Sequence, residues 1–413
     1  MDLAAAVRQA LAELRVRKLR TLLTLLGMVF GVGAVVSMLS VGAGAEREAL
    51  RLIETMGLRT IIAESKDQPD EKLKESRERS LGLTLRDLEA ARDTLPFLAR
   101  HAAVKEIATY SLFSERGQSD ARVVGVSPAY FAMTHLAIRS GRLLAPHDDE
   151  TFAQVAVLGP RAAYDLFGHE DPVGRAVKIN HLWFTVAGVL ADRQLTREEF
   201  QGVKLSGAQN DIYVPVRTAL KRFRFKPLED ELDQFQVEIA PSVAPRDAAL
   251  SLSRLLETRH RGVDDFALVV PEALLEQHRR TQRIFNLVMA SIAGISLLVG
   301  GIGIMNIMLA NVLERTREIG IRRAVGARRR DIRDQFLVEA LTITALGGLA
   351  GVLAGITLAA LISWGSGWEV AWSPVSALLA LAVCGLVGLA SGIYPAIKAA
   401  RLDPIEALAR EAA

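Results

Sequence analysis

Charged and apolar residues are segregated along this chain. Four long runs contain no Asp, Glu, Lys or Arg, and each exceeds the roughly 20 residues that a helix needs to cross a bilayer core. A charge at the centre of such a helix would cost about 2.5–3.5 kcal/mol. The runs cover residues 21–45, 284–313, 340–368 and 370–397. They predict four transmembrane helices, at 21–45, 284–313, 336–368 and 370–397.

An arginine-rich loop at residues 314–335 fixes the expected topology. Short loops rich in Lys and Arg stay in the cytoplasm, so this loop should be cytoplasmic. The crossing count then places residues 46–283 outside and the tail at 398–413 inside. Residues 1–20 carry apolar positions at helical spacing and predict an amphipathic helix on the inner membrane surface. A signal peptide at 21–45 is the less favoured alternative, because its apolar core would be too long.

Composition limits the other classes of protein. Half of the residues are hydrophobic and 23% are charged, which fits neither an all-membrane bundle nor a soluble enzyme. The single cysteine, Cys384, lies in the fourth apolar run, so the external segment must be stable without disulfides. The net charge of +3 gives no nucleic-acid signature, since topology accounts for much of the basic charge.

Helix and strand signals alternate through the external segment and predict an α+β domain. Thr84 followed by Asp87 predicts a capped helix to about Asp93. Further helices are predicted at 161–167 and 245–260, a hairpin at 177–180 and 183–189, and strands at 153–158, 211–214, 235–239 and 266–270. The charged stretch at 63–83 predicts a mobile loop or a solvated helix.

Catalytic motifs are missing from the sequence. It has no phosphate loop, no His-Glu-x-x-His and no Gly-x-Ser-x-Gly motif, so we expect no enzyme active site and no cofactor or metal bound by this chain. The acidic cluster His147 to Glu150 could hold a metal ion, but a charged turn after Pro146 is the favoured interpretation. Gly347, Gly351 and Gly355 are spaced by four and favour close helix packing, within or between subunits. The pairs Gly27 with Gly31 and Gly388 with Gly392 share this spacing. They do not decide between close helix packing and the general abundance of glycine in transmembrane helices.

Several parts of the chain together resemble a MacB/FtsX-type permease of ABC transporters, the type VII exporters. The membrane portion carries the resemblance at residues 18–31, 314–339 and 394–408. The external portion carries it, in order, at residues 124–131, 140–142, 155–159, 166–168, 171–174 and 184–190. The charged stretch at 66–79 has no place in the family pattern.

The resemblance implies a four-helix membrane protein with a MacB-like periplasmic core domain between helices 1 and 2. It also implies a separate cytoplasmic ABC ATPase dimer that binds ATP and Mg, and a permease homodimer in the bacterial inner membrane. The residues that it implies for ATPase coupling are Glu314, Arg315, Arg317, Glu318, Ile319, Gly320, Arg322, Arg323, Ala324 and Gly326.

Within this segment Glu318 and Arg322 stand in the favourable acidic-first order, and Ile319 and Ala324 could offer apolar contacts to the partner. Gly320 would permit its close approach. The alternative is that the arginines only anchor the loop to lipid headgroups.

Three functions from different classes stay open. The favoured one is an exporter permease that drives efflux or extraction of an antibiotic, a peptide or a lipoprotein, with or without a periplasmic adaptor and an outer-membrane channel. The second is an FtsX-like signal relay that activates a cell-wall hydrolase. The third is a membrane-anchored binding protein without an ATPase.

Overall fold

Two compact units make up the chain. The computed structural model describes residues 18–66, 68–192, 199–200, 203–204, 209–366, 374–404 and 407. One unit takes the described residues up to Glu48 and from Arg279 onward, and the other is Ala49–His278. Residues 1–17 of the amphipathic helix predicted at 1–20 and most of the tail after residue 404 lie outside the described residues. Residues 18–20 begin the first long helix instead of ending a separate one.

Helices and strands alternate within the second unit, and long helices dominate the first. The helices are α1 (Lys18–Met56), α2 (Asp70–Arg77), α3 (Leu85–Thr94), α4 (Ala129–Met133), α5 (Pro146–Glu150), α6 (Pro160–Phe167), α7 (Val216–Arg222), α8 (Pro245–Arg259), α9 (Pro271–Glu314), α10 (Thr316–Ala324), α11 (Arg329–Ser366) and α12 (Pro374–Ala400). The strands are β1 (Thr60–Ser65), β2 (Leu98–Ile107), β3 (Leu112–Phe113), β4 (Arg122–Val126), β5 (Ile138–Gly141), β6 (Val155–Leu158), β7 (Ala176–Ile179), β8 (Leu182–Leu190), β9 (Glu199–Phe200), β10 (Val203–Lys204), β11 (Asp211–Pro215), β12 (Gln234–Ile239) and β13 (Phe266–Val269).

Four helices among the described residues are long and apolar enough to cross a membrane: α1, α9, α11 and α12. Their inward faces share one apolar cluster, which includes Met28, Leu297, Phe336 and Cys384. Helix α1 continues beyond the predicted run to Met56, because the backbone turns only at Gly57, where φ is +83°. Helix α9 likewise begins before its predicted run, at Pro271, a residue suited to the first helical turn.

A mixed β-sheet organises the second unit. Its strand order is β13-β1-β12-β2-β4-β11-β6-β8-β7-β3, and β5 pairs with β8 beside this path. Most neighbours are antiparallel, whereas β11 pairs with β4, and β6 with β8, in parallel. Separate apolar clusters lie under α3 and α8, around α6 and α7, and beneath α4. The fold therefore confirms four membrane helices with an α+β domain between the first two.

Several elements of this domain agree with the predictions made from local sequence signals. Thr84 and Asp87 form a reciprocal capping box at the start of α3, which ends at Thr94. The predicted hairpin is the antiparallel pair β7 and β8, and the other predicted strands and helices are present as β6, β11, β12, β13, α6 and α8. Strands β1, β2, β3, β4, β5, β9 and β10 were not predicted.

The charged stretch at 63–83 is neither a mobile loop nor wholly helical. Its first three residues belong to β1, and α2 follows. Arg77, whose side chain is only 7% exposed, bonds Asp230 at 2.9 Å and thereby fixes the end of α2 to the domain. Ser76 donates a hydrogen bond of 2.8 Å to Gln68 Oε1. The helix interpretation is correct for α2, and the loop interpretation is wrong because charged groups pair with the core.

Candidate functional site

The arginine-rich loop folds into a short helix, α10, between α9 and α11. Helix α10 is separated from α9 by a one-residue break at Arg315, where φ is −98° and ψ is 14°. The turn that follows α10 ends at Gly326, whose φ of +109° favours glycine. The carboxylate of Asp331 accepts a 2.9 Å hydrogen bond from the backbone N–H of Arg328 and caps the start of α11. The loop is therefore a defined structure.

Helix α10 has one buried and one exposed face. Thr316, Ile319 and Gly320 are buried, and Ile319 is only 3% exposed within the apolar cluster of the membrane helices. The other face carries Arg317, Ile321, Ala324 and Val325, and Gly326 beyond the helix is exposed too. Val325 is 85% exposed and Ile321 is 47% exposed. An exposed apolar pair beside arginines is a surface that a protein partner could cover.

The buried face corrects two predictions. Ile319 was expected to contact a partner, and Gly320 was expected to let that partner approach, but both residues face the interior of this chain. The apolar positions available to a partner are Ile321, Ala324 and Val325. Sequence could not separate Ile319 from Ile321, because α10 carries aliphatic residues on both faces.

Charged side chains brace α10 against its neighbours. Arg322 donates hydrogen bonds to Glu318 at 2.5 Å, one turn earlier, and to Gln335 of α11 at 2.6 Å. Arg323 donates a 3.2 Å bond to the backbone carbonyl of Ala327. The predicted pair of Glu318 and Arg322 is therefore present, and Gln335, which sequence reasoning missed, ties it to the next helix.

A buried carboxylate joins the two ends of the loop. Glu339 of α11 is 3% exposed and accepts a hydrogen bond of 3.3 Å from Asn311 of α9. Its second oxygen lies 3.8 Å from Arg315 Nη1. Glu314, next to this junction, is exposed. Sequence reasoning did not single out Glu339, although its position next to an uncharged run marks it as a costly charge that needs a partner.

The glycine stripe lies against α1 of the same chain. A Cβ added at Gly351 would be 2.7 Å from Val32 Cβ, and one at Gly355 would be 2.7 Å from the carbonyl oxygen of Gly33. A Cβ at Gly347 would be 3.1 Å from Leu25 Cδ2. Only glycine permits such close approach of two helices.

The paired glycines make similar contacts. Gly27 and Gly31 face α9 at Gly300 and Leu297, and Gly388 and Gly392 face α11 at Thr344 and Ala340.

The acidic cluster at 147–150 is a short helix, α5, and its carboxylates have protein partners. Asp148 forms an ion pair with Arg142 at 2.5 Å, which holds the pKa of that carboxyl below its usual range. Asp149 accepts a 2.9 Å bond from the backbone N–H of Arg217, and burial raises its pKa. No cluster of three or more metal-ligating side chains occurs among the described residues.

The fold and the braced loop define a class: a multi-pass membrane protein with a large domain inserted after its first span. Comparison with family models identifies the family of the chain. Residues 21–255 match the MacB-like periplasmic core domain, and residues 290–404 match the FtsX-like permease C-terminal region. The chain belongs to the MacB-like family of ABC transporter permeases, which confirms the resemblance.

Known relatives cover nearly the whole chain. It is 36% identical to the macrolide export ATP-binding/permease protein MacB 2 of Aeromonas hydrophila, over 98% of this chain and 60% of that protein. It is 35% identical to the MacB protein of Wolinella succinogenes, over 100% of this chain and 61% of that one. The chain thus spans about three fifths of the length of these relatives.

Among solved structures, the periplasmic region of MacB from Actinobacillus actinomycetemcomitans aligns with a TM-score of 0.44 and 22% identity. The alignment covers 55% of this chain and 96% of that one.

Proposed function

We propose that this chain is the permease subunit of an ATP-driven exporter in the bacterial inner membrane. A cytoplasmic ABC ATPase dimer on separate chains binds ATP and Mg²⁺ and docks on α10. Its closure moves α10, and the membrane helices transmit this motion to the periplasmic domain. The substrate is exported or extracted outside the cytoplasm, and the permease works as a homodimer.

The observation that carries the proposal is the exposed apolar face of α10 in a loop braced from both sides. Ile321, Ala324 and Val325 are exposed, whereas the opposite face is buried. Bonds from Arg322 to Gln335 and from Asn311 to Glu339 tie the loop to α11. A force applied to α10 would therefore reach the membrane helices instead of being lost in a flexible loop.

The names of the relatives support the same assignment. The Aeromonas and Wolinella proteins are both named macrolide export ATP-binding/permease proteins. Their names therefore combine an ATP-binding part with a permease part. The regions matched here are the periplasmic core and the permease. A macrolide, a peptide or a lipoprotein are the substrate classes we propose. A periplasmic adaptor and an outer-membrane channel would complete the export route.

Helices α1 and α9 also suit a role in transmission. Each is a single continuous helix, Lys18–Met56 and Pro271–Glu314, and each contributes residues to both compact units. A continuous helix is stiff along its axis, because every internal turn is hydrogen-bonded to the next. The FtsX-like relay is not favoured, since residues 21–255 match the MacB-like core domain.

The test is co-purification of the ATPase from the native host in mild detergent. The variant Ile321→Asp with Val325→Asp places two charges on the exposed face and should weaken ATPase binding by about 30-fold or more, as expected for an interface hot spot of about 2 kcal/mol. The matched control is Leu250→Asp, another exposed aliphatic residue, which lies on α8 of the periplasmic unit. Ile319 is unsuitable for this purpose because it is buried.

Wild type and the Leu250 control should both retain the ATPase. A wild-type protein that captures no ATPase, or captures a cell-wall hydrolase instead, would overturn the exporter assignment. Equal ATPase recovery by the Ile321/Val325 variant would show that docking uses another surface.

A further inference from the structure

Gly320 sits at a point where α10 meets the residues that follow α12. A Cβ built on Gly320 would lie 2.8 Å from Ala407 Cβ and 3.6 Å from the carbonyl oxygen of Pro404. Ala407 is 6% exposed, so its methyl group is enclosed on this side. Carbon atoms this close repel each other, and an alanine at 320 could not fit without moving one of the two segments.

This contact explains why the middle of α10 contains a glycine. Glycine is a poorer helix former than alanine, and residues 316–324 are helical throughout. Gly326 differs, because a Cβ there would meet nothing within 4 Å and its φ of +109° accounts for the glycine. At Gly320 close approach to Ala407 is the remaining physical reason.

The segment that meets Gly320 is itself anchored. Ala399 and Ala400 at the end of α12 belong to the apolar cluster of the membrane helices, and Leu402 packs against that cluster. The backbone N–H of Ala407 donates a 2.9 Å hydrogen bond to the carbonyl of Asp403, which ties Ala407 to the residues just after α12. The contact with Gly320 therefore joins α10 to the C-terminal end of α12.

We infer that Ala407, tied to Asp403, is a support that holds α10, through Gly320, in the position in which its exposed face can receive the ATPase. Gly320 and Ala407 are positioning residues, and neither touches the partner. The inference rests on the proposed function for its consequence, but the contact itself can be tested without any ATPase. Helix α10 is then held on two sides, by Gln335 of α11 and by Ala407.

The contact is tested first, in purified full-length protein with Cys384 replaced by Ser. Gly320→Cys combined with Ala407→Cys should form a disulfide under mild oxidation, because the Cβ separation of about 3.5–4.5 Å in disulfides requires a shift of only about 1 Å here. The matched control pair is Ile321→Cys with Ala407→Cys, in which residue 321 lies on the exposed face. Equal cross-linking of both pairs, or none in the first, would overturn the inference.

The positioning role is tested by exchanging the two side chains. Gly320→Ala should weaken ATPase binding about tenfold, the order expected when one extra methyl group displaces a packed segment. Ala407→Gly alone should have little effect, and the double variant should return to within about twofold of wild type, because the total volume at the contact is restored. A merely destabilised helix would not be rescued by a glycine at 407.

Each failure has a separate meaning. If wild type binds no ATPase, the proposed function is wrong, while the disulfide experiment still decides whether the contact exists. If the disulfide forms but Gly320→Ala binds the ATPase as well as wild type, the supporting role is overturned. If the double variant stays as weak as Gly320→Ala, Ala407 is not the group that requires glycine at position 320.

Discussion

Asn311 donates a hydrogen bond of 3.3 Å to the carboxylate of Glu339 and so joins the end of α9 to α11. The second carboxylate oxygen of Glu339 faces Arg315 at 3.8 Å. Glu339 is almost fully buried, so its charge depends on these two neighbours. The junction lies at the base of α10, where the proposed motion would enter the membrane helices.

Replacement of Glu339 should therefore weaken the protein. Glu339→Ala removes an acceptor bonded to Asn311 and near Arg315, and should cost about 2 kcal/mol in unfolding free energy. Glu339→Gln retains an oxygen for Asn311 and should cost less. Thermal unfolding of both variants in the same detergent checks the order. An alanine variant as stable as wild type would contradict a structural role for this carboxylate.

The stripe of glycines on α11 gives a second prediction. A methyl group at Gly355 would come within 2.7 Å of the backbone oxygen of Gly33, which cannot rotate away. Gly355→Ala should destabilise the membrane unit by about 1–3 kcal/mol. Gly385→Ala is the matched control, because a Cβ at 385 meets nothing within 4 Å. Resistance to unfolding in detergent measures both, and similar losses would argue against close packing of α11 on α1.

His260 predicts a pH dependence in the periplasmic unit. Burial alone would lower its pKa, but Asp265 at 2.5 Å and Asp87 of α3 at 3.5 Å outweigh it and raise the pKa of His260 to about 9. Arg259 and, from α2, Arg77 face the same carboxylates. The ring of Phe266 lies 5.4 Å away, centre to centre.

The pKa of His260 in the folded protein exceeds its usual value of about 6.5, so protonated His260 stabilises the folded state. This contribution to the free energy of unfolding is complete below pH 6.5 and is lost as the pH rises through 9. About 2 kcal/mol should disappear across this interval, after allowance for solvent screening. Hydrogen exchange of α8 and β13, corrected for intrinsic rates, should reveal it. His260→Asn should flatten the dependence, and an unchanged slope in that variant would assign the effect to another group.

Lys105 is a fully buried cation whose removal should be costly. Its ammonium donates bonds to Glu229 at 2.9 Å, Asp233 at 2.8 Å and the carbonyl of Asp230 at 2.8 Å. Lys105→Met leaves two carboxylates without their cation and should cost about 2–3 kcal/mol, since both carboxylates retain partial contact with water. Lys74→Met, at an exposed position on α2, is the control.

Adding Asp233→Asn to Lys105→Met should recover part of the loss, because one uncompensated charge is removed. Chemical unfolding of the single and double variants measures the coupling. Additive losses would mean that Lys105 and Asp233 act independently.

Strand β2 was missed because its charged composition is not typical of a strand. β2 contains Arg100, His101, Lys105 and Glu106, and such a charged segment does not suggest the centre of a sheet. Lys105 can be buried there because Glu229 and Asp233 reach it from more than 120 residues away along the chain. The pairing of β2 with β12 and β4 creates that environment, and no local pattern contains it.

The sequence by itself determined the membrane helices, the capped helix α3, the proline-started helices α6 and α8 and the β7–β8 hairpin. These features depend on the cost of charge in a bilayer or on residues within a few positions of each other. The tertiary structure decided which face of α10 is free. Ile319 and Ile321 are equally apolar, and only the packing of the membrane helices and Ala407 buries the first side and leaves the second exposed. It also decided that Glu339 is paired, because Asn311 approaches it only when α9 and α11 lie side by side.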